Sequence, residues 1–281
     1  MGQDFYEIDL FSTQTIYTVI RGVFEGGSDV DFEVPFQPSR DTKNLYVLPG
    51  SLKLSTIEDT LATAFTQAMA GNKIGYFQTS AIFRFLIEKG MQEEVDIFVL
   101  DTSPSLGSLN RAVMLGADYF TVPMNPDGFS VQGVENFGLT LERWRRDWKI
   151  TAKAVAGETS AKNVLPGDPT FIGYIVNAYN IYGKRPIKEH RNWMEEIPKK
   201  VRDYLSLKHS RNGLVEQSWI NPLAITQDYG QLTAYSHEHC KPIFHVSPSE
   251  KAVPGTMDNI DKSKAEFDGL ADKILSVLQK Y

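Results

Sequence analysis

The alternation of apolar and polar positions along the chain predicts short strands separated by helices. Four runs of residues are almost continuously apolar, which is typical of strands that are covered on both faces of a sheet. These runs lie at 95–101, 119–123, 171–177 and 242–246. A fifth run, at 44–50, ends in a Pro-Gly pair and is also interpreted as a strand.

The stretches between these runs have helical spacing. Apolar side chains recur every three or four residues within 134–148 and 267–278, and further helices are predicted over 55–70, 80–89 and 109–115. Strands that alternate with helices indicate an α/β fold, namely a doubly wound, mostly parallel sheet with helices on both faces. Such folds bind ligands at the carboxyl ends of their strands.

Local signals mark the ends of two predicted helices. Ser55 and Glu58 have the Ser-x-x-Glu spacing of a capping box at the start of the helix over 55–70. Gly90 follows the helix over 80–89 and is expected to end it.

Composition indicates one globular domain over residues 1–281. The 281 residues are 42% hydrophobic and 23% charged, which argues against disorder and coiled coils. The segments 26–44 and 151–170 are predicted to be loop excursions. With 29 basic and 35 acidic residues the net charge is −6, which excludes a surface coated in basic charge but not a local basic face.

Cysteine usage and hydropathy predict a cytoplasmic protein without membrane contact. Cys240 is the single cysteine, so no internal disulfide forms and a reducing compartment fits best. No apolar run approaches the roughly 20 residues of a membrane helix. The polar, acidic N-terminus differs from a secretory signal.

The segment with the most specific chemistry follows the first of the four apolar runs. Asp96, four apolar residues and Asp101 lead into Thr102-Ser-Pro-Ser-Leu-Gly107. An acidic residue at the end of a buried strand requires compensation, which a magnesium ion on a nucleotide phosphate supplies. Alternatively, Asp101 only caps the turn that follows.

This segment resembles the Walker B segment of the ParA/Soj/MinD family of partition ATPases, in which Asp, four apolar residues and Asp-Thr-Pro-Pro-Ser-Leu-Gly are typical. Residues 116–123 and 129–133 are similar to the strand and helix start that follow it in the family. The resemblance implies a P-loop NTPase-like fold and an ATP-dependent homodimer with Mg²⁺. It also implies a nucleoid-associated protein that binds DNA non-specifically and acts with a ParB-like or other cargo adaptor in plasmid partition or chromosome segregation.

The resemblance also assigns site residues. Asp101 would orient magnesium through water and Thr102 would support the loop, while Asn177 and Pro248 follow strands that border the adenine. Asn177 could equally be a turn-forming residue, and the position of Pro248 rests on its place in the chain alone.

The phosphate-binding loop of the family has no counterpart in this sequence. Neither Lys-Gly-Gly-x-Gly-Lys-Thr nor Gly-x4-Gly-Lys-[Ser/Thr] occurs, and the first strand is missing with it. The chain is therefore expected to be either an N-terminally incomplete fragment or a P-loop-less relative, a pseudo-ATPase that interacts with DNA or protein without catalysis. In either case the present chain is expected not to hydrolyse ATP. Its expected cofactor is ATP with Mg²⁺, or it has no cofactor.

A basic segment at 183–211 is the predicted DNA contact. It has nine Lys or Arg against four acids, a net +5 in a chain of net −6. The residues assigned to DNA are Lys184, Arg185, Lys199, Lys200 and Arg202. The alternative is a solvated helix of mixed charge. A smaller candidate lies at 143–146, where Trp144 is expected to be core.

Two other chemistries are not expected. His237-Glu-His-Cys240 places adjacent ligands on a short loop without a second cluster, so it is interpreted as a surface loop before a strand rather than a metal site. Residues 128–133 have the wrong spacing for the nucleophile elbow of a hydrolase.

Overall fold

The computed structural model describes residues 14–39, 42–157, 164–179, 181–182, 185–186, 188–211, 214–239, 241–246 and 256–279. Their contacts group them into two compact units. The helical unit contains the described residues of 14–118 and 143–169, and the sheet unit contains those of 119–142 and 170–279.

The helical unit consists of helices and one short hairpin. Its elements are α1 (Ile16–Glu25), β1 (Gln37–Pro38), β2 (Tyr46–Val47), a 3₁₀ turn (Leu52–Ile57), α2 (Glu58–Met69), α3 (Lys73–Thr79), α4 (Ala81–Gln92) and α5 (Ser108–Gly116). β1 and β2 pair antiparallel. One cluster of apolar residues joins α1 to α4 through Val19, Ile20 and Phe85, and Val30 and Val34 from the segment after α1 complete it.

The sheet unit is built on three parallel strands. Its elements are β3 (Tyr119–Met124), α6 (Gly128–Ala154), β4 (Thr170–Tyr179), β5 (Ile181–Tyr182), β6 (Arg185–Pro186), α7 (Lys188–Val201), a π-helical turn (Arg202–Ser206), α8 (Leu207–His209), α9 (Val215–Ile220), β7 (Ala224–Gln227), α10 (Gln231–His239), a 3₁₀ turn (Ile243–His245) and α11 (Thr256–Leu278). The strand order is β3-β4-β7, and both pairings are parallel. Helix α6 continues past Glu142 with residues that group with the helical unit. The predicted α/β class is confirmed.

The predicted strand over 95–101 is not formed. These residues have no strand pairing, and the apolar side chains of 97–100 are exposed, with Val99 at 89%. Only Phe98 has an aromatic neighbour, Phe36, with ring centroids 5.9 Å apart. Continuous apolarity predicts cover on both faces, but a strand also needs a neighbouring backbone, and none pairs with this run in the described part of the chain.

The predicted strand over 242–246 is also wrong. Residues Ile243–His245 form a 3₁₀ turn, in which the His245 amide donates to the Pro242 carbonyl at 2.8 Å. The turn buries Val246 in a cluster with Tyr229, Leu232 and Ile260. Val246 is therefore buried without a strand ladder, while Ile243 and Phe244 remain partly exposed.

The other predicted elements differ mainly in their ends. The strands at 119–123 and 171–177 and the helices at 109–115, 134–148 and 267–278 are confirmed within β3, β4, α5, α6 and α11. The strand at 44–50 shrinks to β2, and the helix at 55–70 begins as a 3₁₀ turn. Gly90 does not end α4, which continues to Gln92. None of the helices in the described ranges is long and apolar enough to cross a membrane.

Candidate functional site

The two residues predicted to lie near magnesium are at the start of an exposed loop in the helical unit. Asp101 and Thr102 are both exposed, and they follow the unpaired apolar run. The loop continues to Gly107, where α5 begins. An exposed carboxylate can reach a ligand that approaches from solvent.

Asn110 shapes this loop from inside α5. Asn110 is buried, and its side-chain nitrogen donates to the backbone oxygens of Ser103 at 2.5 Å and Ser105 at 2.7 Å. The Ser105 amide also donates to the Ser103 carbonyl at 2.8 Å. These bonds fold the loop back onto the first turn of the helix that follows it.

Glu58 holds the other side of the same helix start. Its carboxylate accepts hydrogen bonds from the backbone amides of Ser108 and Leu109, the latter at 3.2 Å. These amides are two of the unsatisfied donors at a helix N-terminus, where negative charge is favourable. The predicted capping box is therefore wrong, because Glu58 caps α5 rather than its own helix and Ser55 donates to the Leu52 carbonyl.

Polar side chains lie near the carboxyl ends of the parallel strands of the sheet unit. Met124 pairs with Val176 and Val176 with Ile225. Asn125 follows β3, while Asn177 and Thr226 lie inside β4 and β7, where the register shifts after Val176. The Thr226 hydroxyl donates to the side-chain oxygen of Asn177 at 3.3 Å. Asn177 therefore has an oriented amide at the carboxyl edge of the sheet. Asn125 and Thr226 were not predicted from sequence, because only the pairing of the strands places them near the same edge of the sheet as Asn177.

The described lysines and arginine assigned to DNA are all paired with acids. Lys199 binds Glu196 at 2.7 Å, and Arg202 binds Asp203 at 2.7 Å. Lys184 and Pro248 lie outside the described residues, and the backbone of Arg185 belongs to β6. The positive charge of this segment is therefore partly neutralised within the segment itself.

Lys200 pairs with a carboxylate that a tyrosine hydroxyl also contacts. It binds Glu135 of α6 at 2.6 Å, and the Tyr204 hydroxyl donates to the other oxygen of the same carboxylate at 2.8 Å. The hydrogen bond from Lys200, with that from Tyr204, lowers the pKa of Glu135, and the bond to Glu135 raises the pKa of Lys200. Further along α6, Glu142 binds Lys208 at 2.5 Å.

A different arrangement occurs at the smaller basic candidate, in the part of α6 that belongs to the helical unit. Arg143, Lys149 and Lys153 are exposed, and none of the three has an ion pair in the described part of the chain. Arg146 lies 3.2 Å from Asp147. Trp144 is buried, as predicted. Three of the five cations over 143–153 are therefore exposed without an ion pair in the described part of the chain, while Arg145 and Arg146 pair with Asp168 and Asp147.

The stretch predicted as a surface loop near the C-terminus is helical where it is described. His237, Glu238 and His239 lie on α10, and Cys240 is outside the described residues. Within the described ranges no group of three or more His, Cys, Asp or Glu side chains could hold a metal ion.

Comparison with known proteins identifies the family. The family model AAA_31, described as an AAA domain, matches residues 9–153. Because the match spans just over half of the chain, the chain belongs to this family, and its predicted place in the ParA/Soj/MinD family of ATPases is confirmed.

Curated relatives are similar over parts of the chain. The uncharacterised protein MJECL24 of Methanocaldococcus jannaschii is 26% identical over 144 residues, which is 51% of this chain and 44% of that protein. The virulence plasmid ParA family protein pGP5-D of Chlamydia psittaci is 40% identical over 45 residues, 16% of this chain and 17% of that protein. The chain thus spans less than half the length of these curated relatives.

Two solved structures share the fold. Protein DIP2308 from Corynebacterium diphtheriae has a TM-score of 0.62 at 21% identity, over 94% of this chain and 82% of that one. The ATP complex of a Cyanothece McdA variant has a TM-score of 0.56 at 13% identity, over 92% of this chain and 76% of that one. At these identities the likeness shows the α/β fold of ParA-like NTPases and no more.

Proposed function

We propose that the chain acts as a ParA-like ATPase-family protein, a nucleotide-dependent dimeric switch that positions DNA or other cargo. The observation that carries the proposal is the exposed Asp101 carboxylate, on a loop that Asn110 holds against α5 and whose following helix Glu58 caps. Family membership supports it, as do a relative named for a virulence plasmid and a structural neighbour with ATP. The proposed process is plasmid partition or chromosome segregation, with a ParB-like or other adaptor as partner, on the nucleoid.

The loop fits a magnesium ion that is held through water. Asp101 offers a carboxylate and Thr102 a hydroxyl, and magnesium prefers such oxygen ligands while keeping several waters. When bound, the ion neutralises charge on phosphate oxygens. Asp101 would position the ion's water shell, and the bonds from Asn110 to Ser103 and Ser105 would keep the loop in one conformation.

Asn177 is the proposed contact to adenine. Its amide can donate and accept at once, as the edge of adenine requires. The bond from Thr226 fixes one orientation of that amide. We therefore expect Asn177→Leu to weaken ATP binding and to reduce the preference for ATP over GTP.

These 281 residues contain no Gly-x4-Gly-Lys-[Ser/Thr] loop. We therefore propose that, as they stand, they bind ATP weakly and do not hydrolyse it at the rate of a complete ParA-like site. A second function, a non-catalytic module that binds DNA or protein, is favoured by the same missing loop together with Arg143, Lys149 and Lys153, which have no ion pair in the described part of the chain.

Isothermal titration with ATP and magnesium tests the nucleotide part of the proposal. We expect a dissociation constant above about 100 μM, because the amide cradle of a P-loop supplies much of the affinity. Asp101→Ala should abolish the gain in affinity that magnesium gives and leave magnesium-free binding unchanged. Asp59→Ala, an exposed carboxylate of the same unit, is the matched control.

Two results would contradict this account. Low-micromolar binding by the wild-type chain would show a strong phosphate site elsewhere. Magnesium-dependent binding that survives Asp101→Ala would remove Asp101 from the site.

A further inference from the structure

The exposed face of α6 in the helical unit has a row of basic side chains, here called the cationic stripe: Arg143, Arg146, Lys149 and Lys153. At 3.6 residues per turn, these four positions fall within about 120° of the helix circumference. At 1.5 Å per residue, the row is about 15 Å long. It is therefore a continuous surface and not a scatter of single charges.

The charge of the cationic stripe is almost uncompensated. Residues 143–153 contain five Arg or Lys and one acid, Asp147, which pairs with Arg146. Arg145, which is not part of the stripe, pairs with Asp168 instead. In a chain of net charge −6, a group of unpaired cations favours an anionic partner.

The buried face of the same helix fixes the orientation of the cationic stripe. Trp144, Trp148 and Thr151 are all buried, as is Val155 directly after the helix. The Trp148 indole donates to the Leu165 carbonyl at 2.9 Å. The helix cannot rotate its cations inward without exposing these side chains, so the stripe is a fixed feature of the unit.

Arg111 of α5 adds a second observation. Its guanidinium lies 4.1 Å from the Phe65 ring centroid, and its Nε and Nη2 atoms are buried without a hydrogen-bond partner in the described part of the chain. Burial lowers the pKa of Arg111 in spite of Asp147, and the like charge of Arg143 lowers it further. An anion near Arg143 would relieve this repulsion.

We propose that the cationic stripe binds the phosphate backbone of double-stranded DNA. This inference rests on the DNA-binding part of the proposed function and names a surface other than the segment 183–211. The partner is a polyanion and not a membrane, because the apolar face of α6 is buried and Ile150 is the one large apolar side chain exposed among residues 143–153. Regularly spaced cations without base-reading geometry suit sequence-independent contact with phosphates.

Fluorescence anisotropy with a labelled duplex of mixed sequence tests the inference, with and without ATP–magnesium. The test variant is Arg143→Gln/Lys149→Gln/Lys153→Gln. The matched control, Lys199→Gln/Lys200→Gln/Arg202→Gln, removes the same charge from the segment 183–211. Thermal unfolding and circular dichroism are used to check that both variants are folded.

We expect the stripe variant to lose about tenfold or more in affinity and its salt slope to flatten by roughly two to three, at about 0.9 per lost phosphate contact. The control variant should lose much less. Lys149→Arg/Lys153→Arg should retain wild-type affinity, because the charge is kept.

Three outcomes would overturn the inference. If the stripe variant binds like wild type while the control variant loses affinity, DNA binds at 183–211 and the proposed DNA role stands without the stripe. If the wild-type chain does not bind duplex at about 50 mM salt, where phosphate contacts are strong, both the stripe and the DNA role fail, while the nucleotide titration still judges the ATP site. Binding to phosphatidylglycerol vesicles but not to DNA would make the stripe a membrane surface.

Discussion

The two basic regions of the chain look alike in sequence and differ in structure. The segment 183–211 has nine Lys or Arg against four acids, and the cationic stripe has four cations within a stretch, 143–153, that contains one acid. In the first region Lys199, Lys200 and Arg202 each have a carboxylate partner. In the second, three of the four cations have none in the described part of the chain. A count of charges along the sequence therefore does not measure the positive charge that is free to bind phosphate.

The difference arises from the acidic residues of one helix. Glu135 and Glu142 lie in the part of α6 that belongs to the sheet unit and pair with Lys200 and Lys208, more than 60 residues later in the chain. The rest of the helix, 143–154, has Asp147 as its single acid. The helix thus compensates one basic region and leaves its own cations exposed.

The largest predicted effect concerns the buried face beneath the cationic stripe. Trp148 is 1% exposed and packs against the rings of Phe65 and Tyr76. We expect Trp148→Ala to lower the free energy of unfolding by about 3–5 kcal/mol, because a large buried side chain leaves a cavity. Urea unfolding followed by circular dichroism measures this. Ile150→Ala, two residues away and 68% exposed, should change it by less than about 0.5 kcal/mol. Equal effects of the two changes would contradict the assigned faces of α6.

Glu58 extends the comparison to a carboxylate whose partner is a helix end. Glu58→Ala should lower the free energy of unfolding by about 1–2 kcal/mol, as the loss of a helix cap does. Hydrogen exchange of the Ser108 and Leu109 amides should become faster, because these amides lose their acceptor. Glu88→Ala, on the exposed side of α4, is the matched control and should leave both amides protected.

Removing the carboxylate partner of a paired cation should make that cation available to DNA, as the unpaired cations of the stripe are. Glu135→Gln leaves Lys200 without its carboxylate, so we expect duplex affinity to rise a few-fold and the salt slope to steepen by up to about one contact. Glu195→Gln removes the same charge from an exposed position of α7 and should have a smaller effect. If both variants behave alike, net charge rather than pairing controls binding.

The smallest effect is a titration. Because the bonds from Lys200 and Tyr204 lower the pKa of Glu135 below its ordinary 4.5, its contribution to stability is complete above that value. The contribution is lost as the pH falls through the lower pKa of the folded state. Carbon-detected NMR of the Glu135 carboxyl measures the shift, and Lys200→Gln should return the pKa towards 4.5. An unchanged pKa in that variant would show that the pair does not persist in solution.

Patterns of apolar residues along the chain predicted some strands correctly and others wrongly. The strands at 119–124 and 170–179 were predicted from apolarity and do pair with each other. The run at 95–101 was equally apolar, but pairing depends on a neighbouring strand that no local pattern reports. The same holds at 242–246, where a 3₁₀ turn forms instead and Val246, directly after it, is buried.

The candidate site follows the same division. The loop from Asp101 to Gly107 was predicted from its motif, because the motif is contiguous. Its anchor Glu58 was assigned to the wrong helix, because it acts across 50 residues of sequence. The position of Asn177 beside Thr226 depends on how their two strands pair, which the sequence does not show.

Lysine acetylation read by mass spectrometry tests the central claim most directly, because it reports free and paired amines in one unmodified protein. The account predicts that Lys149 and Lys153, exposed and unpaired in the described part of the chain, react several-fold faster than Lys200 and Lys208, which bind Glu135 and Glu142. Added duplex DNA should slow the first two lysines and leave the second two unchanged. Protection of Lys200 and Lys208 by DNA, with Lys149 and Lys153 unaffected, would contradict it.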